Sequence, residues 1–144
     1  MTKPRHWLMK SEPDAYSWDD LVAEGEGRWD GVRNAQAANF MREMRVGDLV
    51  LFYHSITGKA AVGIMTVSRA AYPDPTADQP EKRPDKWVAV SVKPVEKLPQ
   101  PVSLAQMKAE PKLGEMAMLR QSRLSVCPIS VDEWRRILAM AGHS

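Results

Sequence analysis

The sequence has few of the residues on which most catalytic and metal-binding sites depend. One cysteine and three histidines are present among 144 residues, and they are too scattered to form a zinc-binding motif. Neither a glycine-rich phosphate-binding loop nor a Gly-x-Ser-x-Gly motif occurs. Cys127 has no second cysteine with which to form an internal disulfide, and its apolar neighbours predict a buried thiol. We therefore expect no enzyme activity, no metal and no cofactor.

Long hydrophobic runs and an excess of one charge are also missing. Apolar stretches such as Leu49–Tyr53 are much shorter than the roughly 20 residues that a membrane span needs, and the N-terminal residues do not resemble a signal peptide. The 20 Lys and Arg residues face 18 Asp and Glu residues, which gives a net charge of +2. We therefore expect a cytoplasmic protein without membrane association, in which any nucleic-acid site is local.

The chain does have the length and composition of one folded domain. At 144 residues, of which 44% are hydrophobic, about two thirds of the unfolded surface can be buried. No internal repeat that would indicate a solenoid or a propeller is visible. We expect a single domain over residues 1–144.

Patterns of apolar residues predict short strands and short helices in irregular order. Strands are predicted at His6–Lys10, Leu49–His54, Ala60–Val67, Trp87–Lys93 and Arg123–Cys127. Four helices are predicted to begin after the N-cap residues Ser17, Asn34, Ser103 and Ser130. Because no βαβ repeat occurs, we predict an α+β fold built on a mixed β-barrel of five to six strands with short flanking helices.

Local signals are clearest in the middle of the chain. The segment Ser55–Lys59 joins two strand patterns and has the length and composition of a hairpin loop. In contrast, Arg69–Lys86 contains four prolines among charged residues, which predicts an irregular loop. Pro128 is expected to end the last strand.

Polar and aromatic residues collect in loops beside the predicted strand ends. Four segments share this character: Lys10–Pro13, Trp29–Asn34, Tyr53–Ser55 and Gln121–Ser125. Loops on a rigid scaffold commonly carry binding residues. Recognition of a planar base needs an aromatic surface, hydrogen-bonding groups for the base edge and a cation for the phosphate. The four segments together supply all three.

The same segments belong to six ordered motifs that resemble the EVE domain family. The motifs are Trp7–Pro13, Trp29–Asn34, Phe52–Ser55, Val62–Ile64, Ala71–Thr76 and Arg123–Val126. The resemblance extends from about Trp7 to Trp134. It implies a PUA-like fold with a pocket for a modified base, for which modified cytosines of DNA and bases of RNA are the expected ligands. The expected partner is modified DNA or RNA, or a modified nucleoside, and we expect a monomer.

The resemblance also implies roles for individual residues. Trp29 is expected to be an exposed stacking residue, with a core position as the alternative. The residues expected to read base edges or to order the loops are Ser11, Asn34, His54 and Ser125. Those expected to meet phosphates or to close the pocket are Lys10, Arg33 and Arg123. The complete set of candidate binding residues is Lys10, Ser11, Glu12, Trp29, Gly31, Val32, Arg33, Asn34, Tyr53, His54, Ser55, Arg123, Leu124 and Ser125.

Several of these residues can instead have a purely structural role, and two other functions are compatible with the sequence. Asn34 can serve only as a helix cap, and Tyr53 on its apolar strand is expected in the core. Gly31 can permit a sharp turn or a close backbone approach. An enzyme acting on a modified nucleoside would use His54 as a general base near Ser11 or Glu12. A protein-interaction module would use the proline-rich segment Tyr72–Pro84.

Overall fold

A computed structural model describes residues 4–78 and 86–143 of the chain. The strands in these residues are β1 (His6–Ser11), β2 (Gly27–Trp29), β3 (Leu49–His54), β4 (Ala60–Pro73), β5 (Val88–Ser103) and β6 (Val126–Ile129). The helices are α1 (Trp18–Glu24), α2 (Ala35–Glu43), α3 (Leu104–Ala109), α4 (Ala117–Arg120) and α5 (Val131–Met140), with a 3-10 turn at Pro111–Leu113. This is an α+β fold, as predicted.

One mixed sheet contains all six strands, in the order β2-β5-β4-β3-β1-β6. The β1–β3 pair is parallel, and the other neighbouring pairs are antiparallel. Four shifts of register between β4 and β5 mark bulges, which bend strands and increase their twist. Among the described residues, no hydrogen-bonded pairing joins β2 to β6. The sheet is therefore not closed into a complete barrel.

The β3–β4 hairpin and the first residues of the helices agree with the prediction from the sequence. β3 spans Leu49–His54 as predicted, and β4 begins at Ala60. Ser17, Ser103 and Ser130 each make both hydrogen bonds of a capping box. These signals are local, since each depends on residues three or four positions apart.

The strand boundaries in the second half of the chain differ from the prediction. β4 continues to Pro73, so the first part of the predicted Arg69–Lys86 loop is a strand. β5 continues past Lys93 to Ser103. Beyond Val92 it pairs only with β4. The prolines in this part of β5 are tolerated because one edge of the strand has no hydrogen-bonded neighbour there among the described residues. Residues 79–85 lie outside the described residues.

The last strand and two short elements also correct the prediction. β6 begins at Val126 and contains Pro128, which was expected to end it. Proline is tolerated there because β6 is an edge strand that pairs only with β1. The strand β2 and the four-residue helix α4 were not predicted, since neither is long enough to show a periodic pattern.

The core lies against the sheet and is rich in methionine and tryptophan. Met41, Met44 and Met65 are buried, as their spacing predicts. Cys127 is fully buried beside β1, and burial raises the pKa of its thiol to about 12. The longest described helix, α5, has ten residues, and none of the described helices has the length and apolar character of a membrane span.

A glycine in β4 lets helix α1 pack directly on the sheet. A Cβ atom at Gly63 would lie 2.5 Å from the ring of Trp18, the first residue of α1. The backbone N–H of Trp18 also donates a hydrogen bond to Nε2 of His54 on β3 (3.1 Å). The start of α1 is thus fixed by a ring contact and by a hydrogen bond.

We predict that Gly63→Ala destabilises the protein by about 1–3 kcal/mol, because the new methyl group overlaps a buried indole ring. Urea unfolding followed by circular dichroism measures the change in the free energy of unfolding. Gly114→Ala is the matched control, since its methyl group meets only the Pro111 carbonyl oxygen at 3.3 Å. Equal stability of the Gly63 variant and the wild type would contradict this packing.

Candidate functional site

A cavity of about 760 Å³ opens where β1 and β2 end, and we call it the main cavity. Eight of the predicted binding residues line it: Lys10, Ser11, Glu12, Trp29, Gly31, Val32, Arg33 and Ser125. The remaining lining residues were not predicted: Ala15, Tyr16, Glu24, Glu26, Arg28 and Asp30. Asp30 lies inside a predicted segment, but no local pattern distinguishes Tyr16, which reaches the cavity from the loop between β1 and α1.

Trp29 is a wall of the main cavity and not an exposed plate. It belongs to β2, where it pairs with Val90 of β5, and only 6% of its surface is exposed. Its ring meets those of Tyr16 and Phe52 edge to face, with centroids 6.2 and 5.3 Å apart. The expectation of an exposed tryptophan outside any strand is therefore wrong, because β2 was not visible in the sequence.

The segment after Trp29 is held by a buried carboxylate, that of Asp74. Oδ2 of Asp74 accepts hydrogen bonds from the Gly31 N–H (2.8 Å) and from the Arg33 guanidinium (2.9 Å). Oδ1 accepts from the N–H and the hydroxyl of Thr76. Burial would raise the pKa of Asp74, but these hydrogen bonds outweigh it and lower the pKa to about 2. Asp74 belongs to the motif Ala71–Thr76, and it ties this segment to the cavity wall.

Gly31 is required by a turn. Its φ is +77°, and a Cβ atom built on it would meet nothing within 4 Å. The positive φ disfavours any residue with a side chain. Of the two roles considered for Gly31, a sharp turn and a close backbone approach, the structure shows the sharp turn. Next to it, Asp30 forms an ion pair with Arg28 (2.7 Å).

Charges of both signs face the main cavity. The carboxylates are Glu12, Glu24, Glu26 and Asp30, and the cations are Lys10, Arg28 and Arg33. The Tyr16 hydroxyl is buried and has no hydrogen-bond partner among the described residues. Burial, followed by the nearby Glu24, raises the pKa of Tyr16, so its hydroxyl remains protonated at neutral pH. The cavity therefore combines carboxylate acceptors, basic donors and an aromatic wall.

Lys10 contributes to the main cavity and to a second one. Its Nζ donates a hydrogen bond to the Ser122 carbonyl (2.9 Å) and lies 5.9 Å from the centre of the Tyr53 ring. Burial lowers the pKa of Lys10. Lys10 lines both cavities, whereas Tyr53 and Ser55 line only the second.

The other predicted residues lie outside the main cavity. Asn34 caps α2 by accepting a hydrogen bond from the Ala37 N–H (2.9 Å). It lines a separate shallow groove with Arg123 and Leu124, of which Leu124 is buried.

His54 lines none of the three described cavities. Its Nε2 is occupied by the Trp18 N–H, and burial lowers its pKa. A general base formed by His54 near Ser11 or Glu12, which the enzyme alternative needs, is therefore not supported. Among the described residues, no group of three or more His, Cys, Asp or Glu side chains is arranged to hold a metal ion.

We predict a pH dependence that originates at Asp74. Because its folded pKa is about 2, compared with 3.8 for the free carboxyl group, the stabilisation is complete above about pH 4. It is lost as the pH falls towards 2 and amounts to about 2 kcal/mol. The Asp74→Asn variant should be less stable at neutral pH, and its free energy of unfolding should lack this decrease between pH 4 and pH 2. Urea unfolding at pH 2–6 measures it, with Asp14→Asn as an exposed control. A pH profile unchanged by Asp74→Asn would contradict the assignment.

Comparison with known proteins places these features in a family. The model of the EVE domain family matches residues 5–140. Human thymocyte nuclear protein 1 is 33% identical over 164 aligned residues, which cover 94% of this chain and 73% of the human protein. The rat protein of the same name is 34% identical, with the same coverage.

Solved structures show the same architecture. A crystal structure of a protein from Agrobacterium tumefaciens superposes with a TM-score of 0.91 at 42% identity, covering 96% of this chain and 94% of that one. Human thymocyte nuclear protein 1 in complex with DNA containing 5-methylcytosine superposes with a TM-score of 0.89 at 30% identity, covering 97% and 99% of the two chains.

Proposed function

The chain belongs to the EVE domain family, and from this premise we propose that it is a binding module for a modified base, which it holds in the main cavity. The observation that supports this proposal most directly is that one cavity combines an aromatic wall with carboxylate acceptors and basic donors. The human relative solved with DNA that contains 5-methylcytosine supports the same ligand class.

The charge distribution of the main cavity suits a base better than a phosphate. Four carboxylates line it, and a carboxylate accepts hydrogen bonds from an exocyclic amino group such as that of cytosine. The same carboxylates repel phosphate oxygens. We infer that the base enters the cavity while the phosphates remain at its rim, where the side chains of Arg28 and Arg33 are 49% and 39% exposed.

Binding of this kind requires the base to leave its stack. Unstacking costs a few kcal/mol in a duplex and less in a single strand. Contact between a base and an aromatic side chain returns about 1–3 kcal/mol, and Trp29 presents only part of its ring to the cavity. Edge hydrogen bonds and rim cations must therefore supply the remainder, so we expect modest affinity that decreases with salt.

We propose that the module reads single-stranded or unpaired nucleotides of either DNA or RNA, since the main cavity is a pocket beside strand ends and not a groove for a duplex. We further propose that it binds without turnover, because Nε2 of His54 already accepts the Trp18 N–H and His54 lines none of the three described cavities. Mass spectrometry of a modified oligonucleotide after long incubation with the protein should show no new product. A new product that disappears with His54→Ala would favour the enzyme alternative.

The central test is the contribution of Trp29. We predict that Trp29→Leu weakens binding of an oligonucleotide with one 5-methylcytosine by about 1–3 kcal/mol, because it removes the aromatic wall. Fluorescence anisotropy, with competition by the unmodified sequence, measures the affinity and the preference for the modified base.

The matched control for this test is Trp134→Leu. Trp134 on α5 has the same 6% exposure and packs on His6, outside the main cavity. The Trp134→Leu variant should lose stability but keep its affinity for the modified oligonucleotide. The proposed function fails if modified and plain DNA and RNA bind equally well and Trp29→Leu changes neither.

A further inference from the structure

A second cavity of about 250 Å³ shares Lys10 with the main cavity. It is enclosed by the end of β3, the turn between β3 and β4, and helices α3 and α4. Apolar side chains form much of its surface, among them Leu104, Met118 and Leu119. None of the residues required for base reading in the main cavity lines it except Lys10, which belongs to both.

The second cavity differs in charge from the main cavity, which carries both signs. Lys10, Lys59 and Lys108 line it, and its lining contains no aspartate or glutamate among the described residues. Three like charges around an apolar depression produce a positive local potential that attracts an anion. The long methylene chains of lysine are also compatible with a ring or a sugar beside them.

Tyr53 supplies a polar group that the fold leaves unused. The residue is 2% exposed and lines the second cavity, yet none of the hydrogen bonds among the described residues involves its hydroxyl. Burial raises the pKa of Tyr53, so the hydroxyl remains a donor at neutral pH. The hydroxyl is therefore free to donate a hydrogen bond to an acceptor bound in this cavity.

The rim of the second cavity includes a turn in a rare conformation. The Thr57 N–H donates to the Ser55 carbonyl (2.7 Å) around Ile56, whose φ is +67°. A positive φ is unfavourable for a β-branched residue, and three-residue turns of this form are strained. The turn holds the 68% exposed side chain of Ile56 beside the cavity, where it offers an apolar surface to a ligand.

We propose that the second cavity binds the nucleotide adjacent to the modified one on the same strand. The phosphate lies among the lysines and accepts from the Tyr53 hydroxyl, while the sugar or base packs against Ile56 and Leu119. Lys10 then lies between the two nucleotides, at the position where the linking phosphate passes from one cavity to the other. This inference rests on the proposed function, since it assumes a strand whose modified base occupies the main cavity.

A methionine methyl group can report occupancy of the second cavity directly. Met118 lines this cavity, whereas Met65 is buried and lines none of the described cavities. In protein labelled with ¹³C-methyl methionine, titration with an unmodified, 5′-phosphorylated trinucleotide should shift the Met118 signal and leave Met65 in place. This readout does not require recognition of the modification, so it tests the second cavity separately from the base reader.

Variants at the exposed lysines test the binding of phosphate. Lys59→Gln/Lys108→Gln should weaken binding of modified and unmodified trinucleotides equally, by about fivefold for each lysine. It should also reduce the slope of log K against log salt by about 0.7 for each phosphate that no longer meets a lysine. Lys93→Gln removes the same charge from an exposed position that lines none of the described cavities and should change neither quantity.

The outcomes separate the two proposals. No shift of Met118, together with unchanged affinity of the double lysine variant, overturns the second site even if the protein still prefers modified bases. A shift of Met118 without any preference for a modified base overturns the proposed function and retains a nucleotide site. A free mononucleotide could also shift the Met118 signal as strongly as the trinucleotide and bind with the same affinity. The second cavity would then be an independent nucleotide site, and the proposal that it binds the nucleotide next to the modified one would be wrong.

Discussion

The candidate site depends on one buried anion, the carboxylate of Asp74. A charge removed from water must be compensated by ion pairs and hydrogen bonds. Thr76 compensates one carboxylate oxygen, and the segment that follows Trp29 compensates the other. The Gly31 N–H and the Arg33 guanidinium are both bound to Oδ2. The Trp29–Arg33 segment is thereby tied to a residue 43 positions away from Gly31. The wall of the main cavity keeps its shape because movement of Gly31 or Arg33 would leave the buried Asp74 carboxylate without these hydrogen bonds.

A second constraint is the separation of charge along the surface. The main cavity carries both carboxylates and cations, the second cavity carries lysines only, and Lys10 lines both with its Nζ bound to the Ser122 carbonyl. On the proposed function, this difference would discriminate between the parts of a nucleotide, because a neutral base tolerates carboxylates and a phosphate does not. A near-neutral protein can therefore orient a strand without a strongly cationic surface. The net charge of +2 reflects this local arrangement.

Local signals in the sequence predicted much of the fold, and long-range contacts account for the errors. Ser103 and Ser130 were identifiable as caps because their partners lie three residues away. The burial of Trp29 was not, because it comes from pairing with Val90, about sixty positions later. The family resemblance indicated the right segments for the site. It did not show that Nε2 of His54 accepts the backbone N–H of Trp18, whereas the cap role of Asn34 was predicted from the sequence and is confirmed.

Selectivity for a modification as small as a methyl group sets a limit on how such a reader works. Burying one such group contributes about 1–3 kcal/mol, and opening the base stack costs a comparable amount. Most of the affinity must therefore come from contacts that modified and plain strands share, such as the rim cations and neighbouring nucleotides. On the proposed function, those shared contacts would provide the binding itself, and the main cavity would supply the difference between modified and plain strands. A rigid wall suits this division, because a cavity that adapts its shape would lose the small term that distinguishes the two bases.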